Sequence, residues 1–314
     1  MPKSESPATN GLATLSAKPW ENYPVPEHVY LPRGMIGFEE RRMLYWLAAE
    51  YYEGAGVVVD AGAYLGASAF ALAAGLAHSR HRASRQATVH CYDRFVASDD
   101  YVRDDISRGF YPVVTDYDYS PIFEFQTALH RDRIVAHRGD FLEASAPPSP
   151  IEILFVDVAK TEALNKRLVE HYFTRLIPGK SVIVQQDFYQ AWYPYIPITM
   201  EYFRDWFEMA DPYVADSSRL YLLTRKIPQP AIQQFLEGLS VARESELLRR
   251  AIGRDSGPTG MMLRVAEVLH LVDRQGQPKQ ARAAAAALRR DPEFVPDAYY
   301  ATQLESIEQY RQLV

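Results

Sequence analysis

The sequence lacks several features that mark common classes of protein. It has a single cysteine, Cys91, so the chain can form neither an intrachain disulfide nor a zinc site built from cysteines. It has no excess of basic charge, since 34 Lys and Arg residues stand against 40 Asp and Glu residues, and this disfavours a nucleic-acid partner. It also has no apolar run of membrane-spanning length, and residues 1–18 lack the apolar core of a signal peptide. These absences predict a cytoplasmic protein that binds neither nucleic acid nor membrane.

What the sequence does contain is enough apolar material for a substantial core, at 47% of 314 residues. This length predicts one α/β domain with a smaller helical addition. We expect an extended N-terminal arm, rich in Pro and Tyr, over residues 1–34, a main domain over 35–228 and a helical region over 229–314. The arm and the C-terminal helices are the expected contacts of a homo-oligomer.

Five short apolar segments read as strands, and each ends in a carboxylate. They cover residues 57–60, 89–93, 133–140, 151–157 and 181–187. Because helical stretches separate strands in this pattern, we predict a mostly parallel α/β sheet, closed by an antiparallel hairpin near residues 213–224. Ligands bind outside the carboxyl ends of such strands, which is where the acidic residues lie.

Two aromatic segments fall outside this repeating pattern. Residues 95–129 form a long insertion, which we predict to be a lid or substrate wall. Its aromatic residues are Tyr101, Phe110, Tyr111, Tyr117, Tyr119, Phe123 and Phe125. A second cluster comprises Phe188, Tyr189, Trp192, Tyr193 and Tyr195. Either set can stack on a planar or sugar substrate, and either can instead pack in the core.

A glycine-containing turn lies directly between the first strand and the following helix. Gly62 and Gly66 are four residues apart, which allows a tight turn leading into the free N–H groups of a helix N-terminus. The dinucleotide fingerprint requires a second glycine where this sequence has Ala63 and Tyr64. The spacing therefore disfavours NAD.

At this turn the sequence resembles the class I S-adenosylmethionine (SAM) dependent methyltransferases, especially the catechol O-methyltransferase group, over residues 57–187. The resemblance implies a Rossmann-like methyltransferase sheet. It implies that the turn holds the methionine part of SAM, that Asp93 holds the ribose hydroxyls, and that Asp140 and Phe141 approach the adenine. The residues of the turn that it assigns to the cofactor are Asp60, Gly62, Ala63, Tyr64, Gly66 and Ser68.

The same resemblance suggests a divalent metal at two neighbouring strand ends. Asp157, Gln186 and Asp187 stand at the metal-ligand positions of the catechol and macrocin O-methyltransferase groups. Both groups have an Asp where this sequence has Gln186, so one charged ligand is replaced by an amide. A Mg²⁺ or similar ion held there would lower the pKa of an acceptor hydroxyl, and purely structural roles for the two Asp residues are the alternative.

Lys160 occupies the place at which the catechol enzymes carry a lysine base. A lysine serves as a base only where burial or a nearby cation lowers its pKa. Asp157, as a direct base, and His130 or His137 are the alternatives, and an exposed lysine with no catalytic role is also open.

The sequence thus predicts a SAM-dependent methyltransferase that acts on a small-molecule hydroxyl, such as that of a sugar or a phenolic natural product. An amine acceptor stays open. Two other hypotheses are a methyltransferase-like binding or scaffold subunit without turnover, and a nucleotide-cofactor oxidoreductase.

Overall fold

The computed structural model describes residues 7–97, 99–109, 117–214 and 217–313. These residues form a mixed seven-stranded sheet with helices on both faces. Within the described ranges, no helix has the length and apolar character needed to cross a membrane.

The strand order of the sheet is β3-β2-β1-β4-β5-β7-β6. The strands are β1 (Val57–Ala61), β2 (Val89–Asp93), β3 (Ile134–Arg138), β4 (Ile151–Val156), β5 (Val182–Gln185), β6 (Phe207–Val214) and β7 (Ser218–Leu223). The first five strands are parallel, and β7 pairs antiparallel with both β5 and β6. This arrangement confirms the predicted Rossmann-like α/β sheet with a closing antiparallel pair.

Twelve α-helices accompany the sheet within the described residues. They are α1 (Pro7–Ser16), α2 (Phe38–Trp46), α3 (Ala67–His78), α4 (Asp100–Arg108), α5 (Ser120–Thr127), α6 (Glu162–His171), α7 (Tyr195–Tyr202), α8 (Gln229–Glu237), α9 (Val241–Ile252), α10 (Gly257–Asp273), α11 (Pro278–Arg289) and α12 (Tyr299–Tyr310). Helix α2 continues as a π-helical turn over Leu47–Tyr51.

One face of the sheet is covered by α3, whose small residues allow close approach. Val58 in β1 faces this side and is fully buried. Helix α2 packs on α3 at Gly75, where an added Cβ would lie 2.4 Å from the carbonyl oxygen of Tyr45. Close packing therefore requires glycine at position 75, and the buried alanines of α3 favour the helix.

The opposite face is covered by α6 and by the C-terminal helices. Leu168 of α6, Phe235 of α8, Leu269 of α10 and Leu304 of α12 belong to one apolar core with residues of the sheet. The predicted helical character of residues 229–314 is confirmed for the described part. This apolar core includes residues on both sides of residue 228. The domain boundary at that residue stays a prediction.

The prediction of an extended arm over residues 1–34 is wrong for its described part. Pro7–Ser16 form helix α1, and short 3₁₀ turns follow. The cause is burial, since Leu15 and Trp20 are almost fully enclosed, and Lys18 forms an ion pair of 2.7 Å with the buried Asp211 of β6. Apolar burial outweighs the Pro-rich and Ser-rich composition.

The insertion over residues 95–129 contains α4 and α5. Of its aromatic residues, Phe110 and Tyr111 lie outside the described residues. Tyr119 and Phe123 are buried, so they pack in the core instead of facing a substrate. The exposed members are Tyr101, Tyr117 and Phe125.

Candidate active site

The turn after β1 is packed tightly against the end of β4. Gly62 has a φ of 102°, and an added Cβ would lie 2.7 Å from the carbonyl carbon of Asp157. The Gly62 N–H donates to the Tyr92 carbonyl oxygen of β2 at 2.9 Å. Glycine is needed here for contact with a neighbouring strand, and this contact brings the turn beside Asp157.

Gly66 ends the turn and is the N-cap of α3, with a φ of 98°. An added Cβ would lie 2.7 Å from Cγ2 of Thr127, so α5 packs directly on this residue. Because Gly66 has no side chain, the N-cap residue gives no side-chain hydrogen bond to the first N–H groups of α3. The positive end of the helix dipole is favourable for an anionic group at the turn.

Asp60 fixes the beginning of the turn from inside β1. Ser68 donates a hydrogen bond of 2.8 Å to Oδ2 of Asp60, and both side chains are buried. Oδ1 of Asp60 has no hydrogen-bond partner among the described residues. Burial raises the pKa of Asp60 to about 7, against the opposing effect of the Ser68 hydrogen bond.

Asp93 ends β2 and is bonded to the glycine-containing turn. Its Oδ2 accepts from the Tyr64 N–H at 2.8 Å, and its Oδ1 accepts from the Phe95 N–H at 2.8 Å and the Tyr119 hydroxyl at 2.6 Å. A carboxylate has about four acceptor positions. Among the described residues three are used, so Oδ2 retains one position for a further donor such as a ribose hydroxyl.

Tyr64 links the turn to helix α4 of the insertion. It adopts a left-handed backbone conformation with φ 45°, and its hydroxyl donates to Oδ2 of Asp105 at 2.8 Å. Its ring meets the Tyr119 ring edge-on at 5.4 Å. The turn is therefore held by contacts with Asp105 and Tyr119 of the insertion as well as by Asp93.

Sequence reasoning missed Arg33, which joins the N-terminal segment to helices α4 and α5. Its guanidinium bonds both the carbonyl oxygen and the carboxylate of Asp105. Gln126 of α5 accepts from the Arg33 N–H at 2.6 Å and also donates to the Leu65 carbonyl oxygen. No local pattern could identify this network, because its partners lie 61 to 93 residues apart in the sequence.

Asp140 and Phe141 are engaged in contacts of their own. The Asp140 carboxylate pairs with Arg94 at 2.8 Å and accepts from the Leu142 N–H. The Phe141 ring is 4% exposed and stacks on Tyr172 at 4.9 Å. The structure thus brings Asp140 to the end of β3 beside β2, but it keeps the Phe141 ring in the core.

Asp157 and Asp187 are joined by Lys160 at the carboxyl ends of β4 and β5. The Lys160 ammonium is within ion-pair distance of Oδ1 of Asp157 and Oδ2 of Asp187. It also lies 5.7 Å from the centre of the Tyr193 ring. Asp187 has a φ of 61°, an unusual value for a residue other than glycine, and such strain is concentrated at functional sites.

The electrostatics of this cluster do not favour Lys160 as a base, and its assignment as a base stays a prediction. Burial lowers the pKa of Lys160, but attraction to Asp157 and Asp187 outweighs it, so the pKa lies above its ordinary value. A base needs the opposite shift. Burial raises the pKa of Asp157, and Lys160 offsets this only in part. The Asp157 carboxylate, and not the Lys160 ammonium, is therefore the group that can accept a proton.

The residues predicted to hold a metal do not fit a divalent ion. Lys160 already pairs with Asp157 and Asp187, and the remaining candidate, Gln186, is a buried neutral amide whose Oε1 has no partner among the described residues. In the part of the chain that the structure describes, no group of three or more His, Cys, Asp or Glu residues is arranged to hold a metal ion.

Within the described residues, neither His130 nor His137 contacts Asp157, Lys160 or Asp187. His130 packs edge-on against Phe70 of α3, at 4.9 Å between ring centres. His137 of β3 stacks on Tyr92 at 4.4 Å and shares a hydrogen bond of 3.0 Å with His90. Burial lowers the pKa of both His130 and His137. These contacts give the two histidines packing roles.

The second aromatic cluster is divided between the core and the site. Phe188 and Tyr189 are buried, and Tyr189 donates to the carboxylate of Asp255 at 2.8 Å. Tyr193 is half-buried beside Lys160, and the Tyr195 hydroxyl donates to the Ala159 carbonyl oxygen at 3.1 Å. Of this aromatic cluster, Tyr193 is therefore the residue that lies beside Asp157, Lys160 and Asp187.

Comparisons with known proteins give limited information. No protein-family model matches this sequence, and no curated protein matches it in sequence. Among solved structures, the crystal structure of CalS11, a calicheamicin methyltransferase, is similar, with 17% identity over 70% of this chain and 93% of that chain and a TM-score of 0.46. At this identity and TM-score, the similarity assigns neither a family nor a function to the chain.

Proposed function

We propose that this protein is a SAM-dependent methyltransferase that transfers a methyl group to a hydroxyl of a small molecule. The observation that carries the proposal is the contact of Gly62 with the backbone of Asp157. Through this contact the turn, which is bonded to Asp93, lies beside a group of two carboxylates and one ammonium, and this supports the proposal. A cofactor and an acceptor bound at these two places would be neighbours.

The chain's own groups fit the two ends of SAM. The uncapped start of α3 and the turn at Gly62 suit the carboxylate of the methionine part. Asp93 has one remaining acceptor position, on Oδ2, for a ribose hydroxyl. The cluster of Asp157, Asp187 and Lys160 has a formal charge of −1, which favours a cationic sulfonium nearby.

Lys160 favours an oxygen acceptor over an amine. An ammonium group has three N–H donors, and two of them are directed to Asp157 and Asp187. The third can donate to an acceptor atom, since the Lys160 side chain is 42% exposed. A hydroxyl oxygen has two lone pairs, so it can accept this bond and still attack a methyl group. A neutral amine has only one lone pair, which the same bond would occupy.

The transfer balances with Asp157 as the proton acceptor. SAM, when bound, supplies a methyl group on a positively charged sulfur. The acceptor oxygen would take the methyl carbon, and the electrons of the carbon–sulfur bond would stay on sulfur. The hydroxyl proton passes to the Asp157 carboxylate, which Lys160 holds in place. Lys160 stays protonated throughout.

A second candidate is a SAM-binding subunit without turnover. The observation that favours it is that Lys160 already engages both carboxylates, which leaves fewer lone pairs to receive a proton. Release of S-adenosylhomocysteine with any member of a panel of phenols and sugars would exclude this candidate.

The proposal is tested by isothermal titration of the full chain with SAM and, separately, with NAD⁺. We expect SAM to bind one molecule per chain and NAD⁺ not to bind. Asp93→Asn should weaken SAM binding by roughly 10-fold or more, since it removes a charged acceptor. Asp100→Asn, at an exposed carboxylate of α4, is the matched control. Binding of NAD⁺ without SAM would overturn the proposal.

A further inference from the structure

We infer that the Lys160 ammonium group occupies the position between Asp157 and Asp187 that a divalent cation would otherwise take, so that the centre works without a metal. This inference rests on the proposed function for its catalytic meaning. Its geometry is independent of that function, because both ion pairs belong to the chain itself.

The backbone on both sides of the cluster directs these groups toward each other. Asp157 follows β4 directly, and its N–H donates to the Ala61 carbonyl oxygen of β1 at 2.7 Å. The Lys160 N–H bonds the Val158 carbonyl oxygen at 2.7 Å, which forms a tight turn before α6 begins. Asp187 reaches the same point from β5 through its left-handed conformation. The ammonium is thus held by a built structure and is not a freely moving surface group.

The charges of the cluster are those of an occupied cation site. Two carboxylates from adjacent strand ends carry a formal charge of −2, and the ammonium returns the total to −1. The face of the Tyr193 ring, 5.7 Å away, adds a further favourable contact for a cation. A divalent ion placed between the same carboxylates would meet the ammonium charge at close range, and this repulsion is strong in a partly buried site.

The consequence is that removal of the lysine charge should create a metal site. In Lys160→Met the side chain is one atom shorter and uncharged, and the two carboxylates are left without a cation. Gln186 precedes Asp187 in the sequence, and its Oε1 is buried and has no partner among the described residues; an amide oxygen is a ligand of the type that Mn²⁺ and Mg²⁺ accept. In the unchanged protein the ammonium excludes the ion.

The experiment measures Mn²⁺ binding by electron paramagnetic resonance in the full chain, without SAM or acceptor. Lys160→Met is compared with the unchanged protein and with Lys160→Arg, which retains the charge. Lys166→Met is the matched control. Lys166 lies on α6 and pairs with Glu162 at 3.0 Å, away from the carboxylates of Asp157 and Asp187 to which Lys160 is bonded. Circular dichroism establishes that each variant is folded, and adding Asp187→Asn to Lys160→Met tests the ligand.

We expect about one Mn²⁺ per chain in Lys160→Met, bound at least ~10-fold more tightly than by the unchanged protein, Lys160→Arg or Lys166→Met. The added Asp187→Asn substitution should abolish that binding. Stoichiometric Mn²⁺ binding by the unchanged protein that Asp187→Asn removes would overturn the inference, and so would absence of binding in a folded Lys160→Met. Neither result depends on SAM, so the titration with SAM tests the proposed function separately.

Discussion

Asp60 shows how a single buried carboxyl group affects the stability of the site. It lies inside β1, is fully enclosed, and has one oxygen bonded to Ser68 and one without a partner among the described residues. Because burial raises its pKa from 3.8 to about 7, the folded protein holds this proton more strongly than the unfolded chain does. Stability should therefore fall as the pH rises from about 4 to about 7, and the loss should persist at higher pH.

Substitution of this residue tests that dependence. Asp60→Asn keeps the shape of the protonated side chain, so it should raise the free energy of unfolding at pH 8 and leave it nearly unchanged at pH 4. Each pKa unit corresponds to about 1.4 kcal/mol, so the gain is on the order of a few kcal/mol. Urea unfolding at both pH values, without SAM, measures it. Asp100→Asn, at an exposed carboxylate, should give no gain, and an equal pH slope in Asp60→Asn would contradict the account.

At the scale of elements, hydrogen bonds join the N-terminal segment, helices α4 and α5 and the glycine-containing turn. Arg33 joins Asp105 of α4, Asp105 accepts the hydroxyl of Tyr64, and Gln126 of α5 bonds both Arg33 and Leu65. Helices α4 and α5 are therefore bonded to the turn and to the N-terminal segment by side chains from three separate parts of the chain.

Removal of one side chain should loosen these elements. In Arg33→Ala we expect amide hydrogen exchange to become roughly 10-fold faster in α4 and in the turn around Tyr64, because α4 loses its part-buried, charge-assisted hydrogen bonds from Arg33 and the turn is bonded to α4 through Tyr64 and Asp105. Exchange measured by mass spectrometry on the SAM-free protein tests this. Arg108→Ala, on the same helix but with a side chain that is 77% exposed, is the control. Equal exchange rates in the two variants would show that Arg33 does not stabilise α4 and the turn.

The elements differ in how far the sequence could predict them. The strands were predictable because β1, β2 and β4 are short apolar runs, each with an aspartate at or next to its last residue. Helix α1 was not, since its composition favours a loose segment and its stability comes from burial of Leu15 against distant strands. The cluster around Lys160 could be predicted in its members but not in its pairing, which depends on the backbone conformation of Asp187.

At the scale of the whole molecule, the strand order explains why the site lies where it does. Strand β1 is central, with β2 on one side and β4 on the other, so Asp93 and Asp157 both lie next to the turn that follows β1. Strand β5, beside β4, brings Asp187 to Lys160. The proposed cofactor and acceptor positions are thus set by neighbouring strands of one sheet and require no movement of separate domains.

The most direct test of this account is a crystal structure of the full chain with S-adenosylhomocysteine. We predict that the homocysteine part lies on the turn at Gly62 and that a ribose hydroxyl bonds Oδ2 of Asp93. The sulfur should face Lys160 and Asp157, with Lys160 still between the two carboxylates. Density for the ligand away from this turn, or a sulfur directed away from that cluster, would contradict the account.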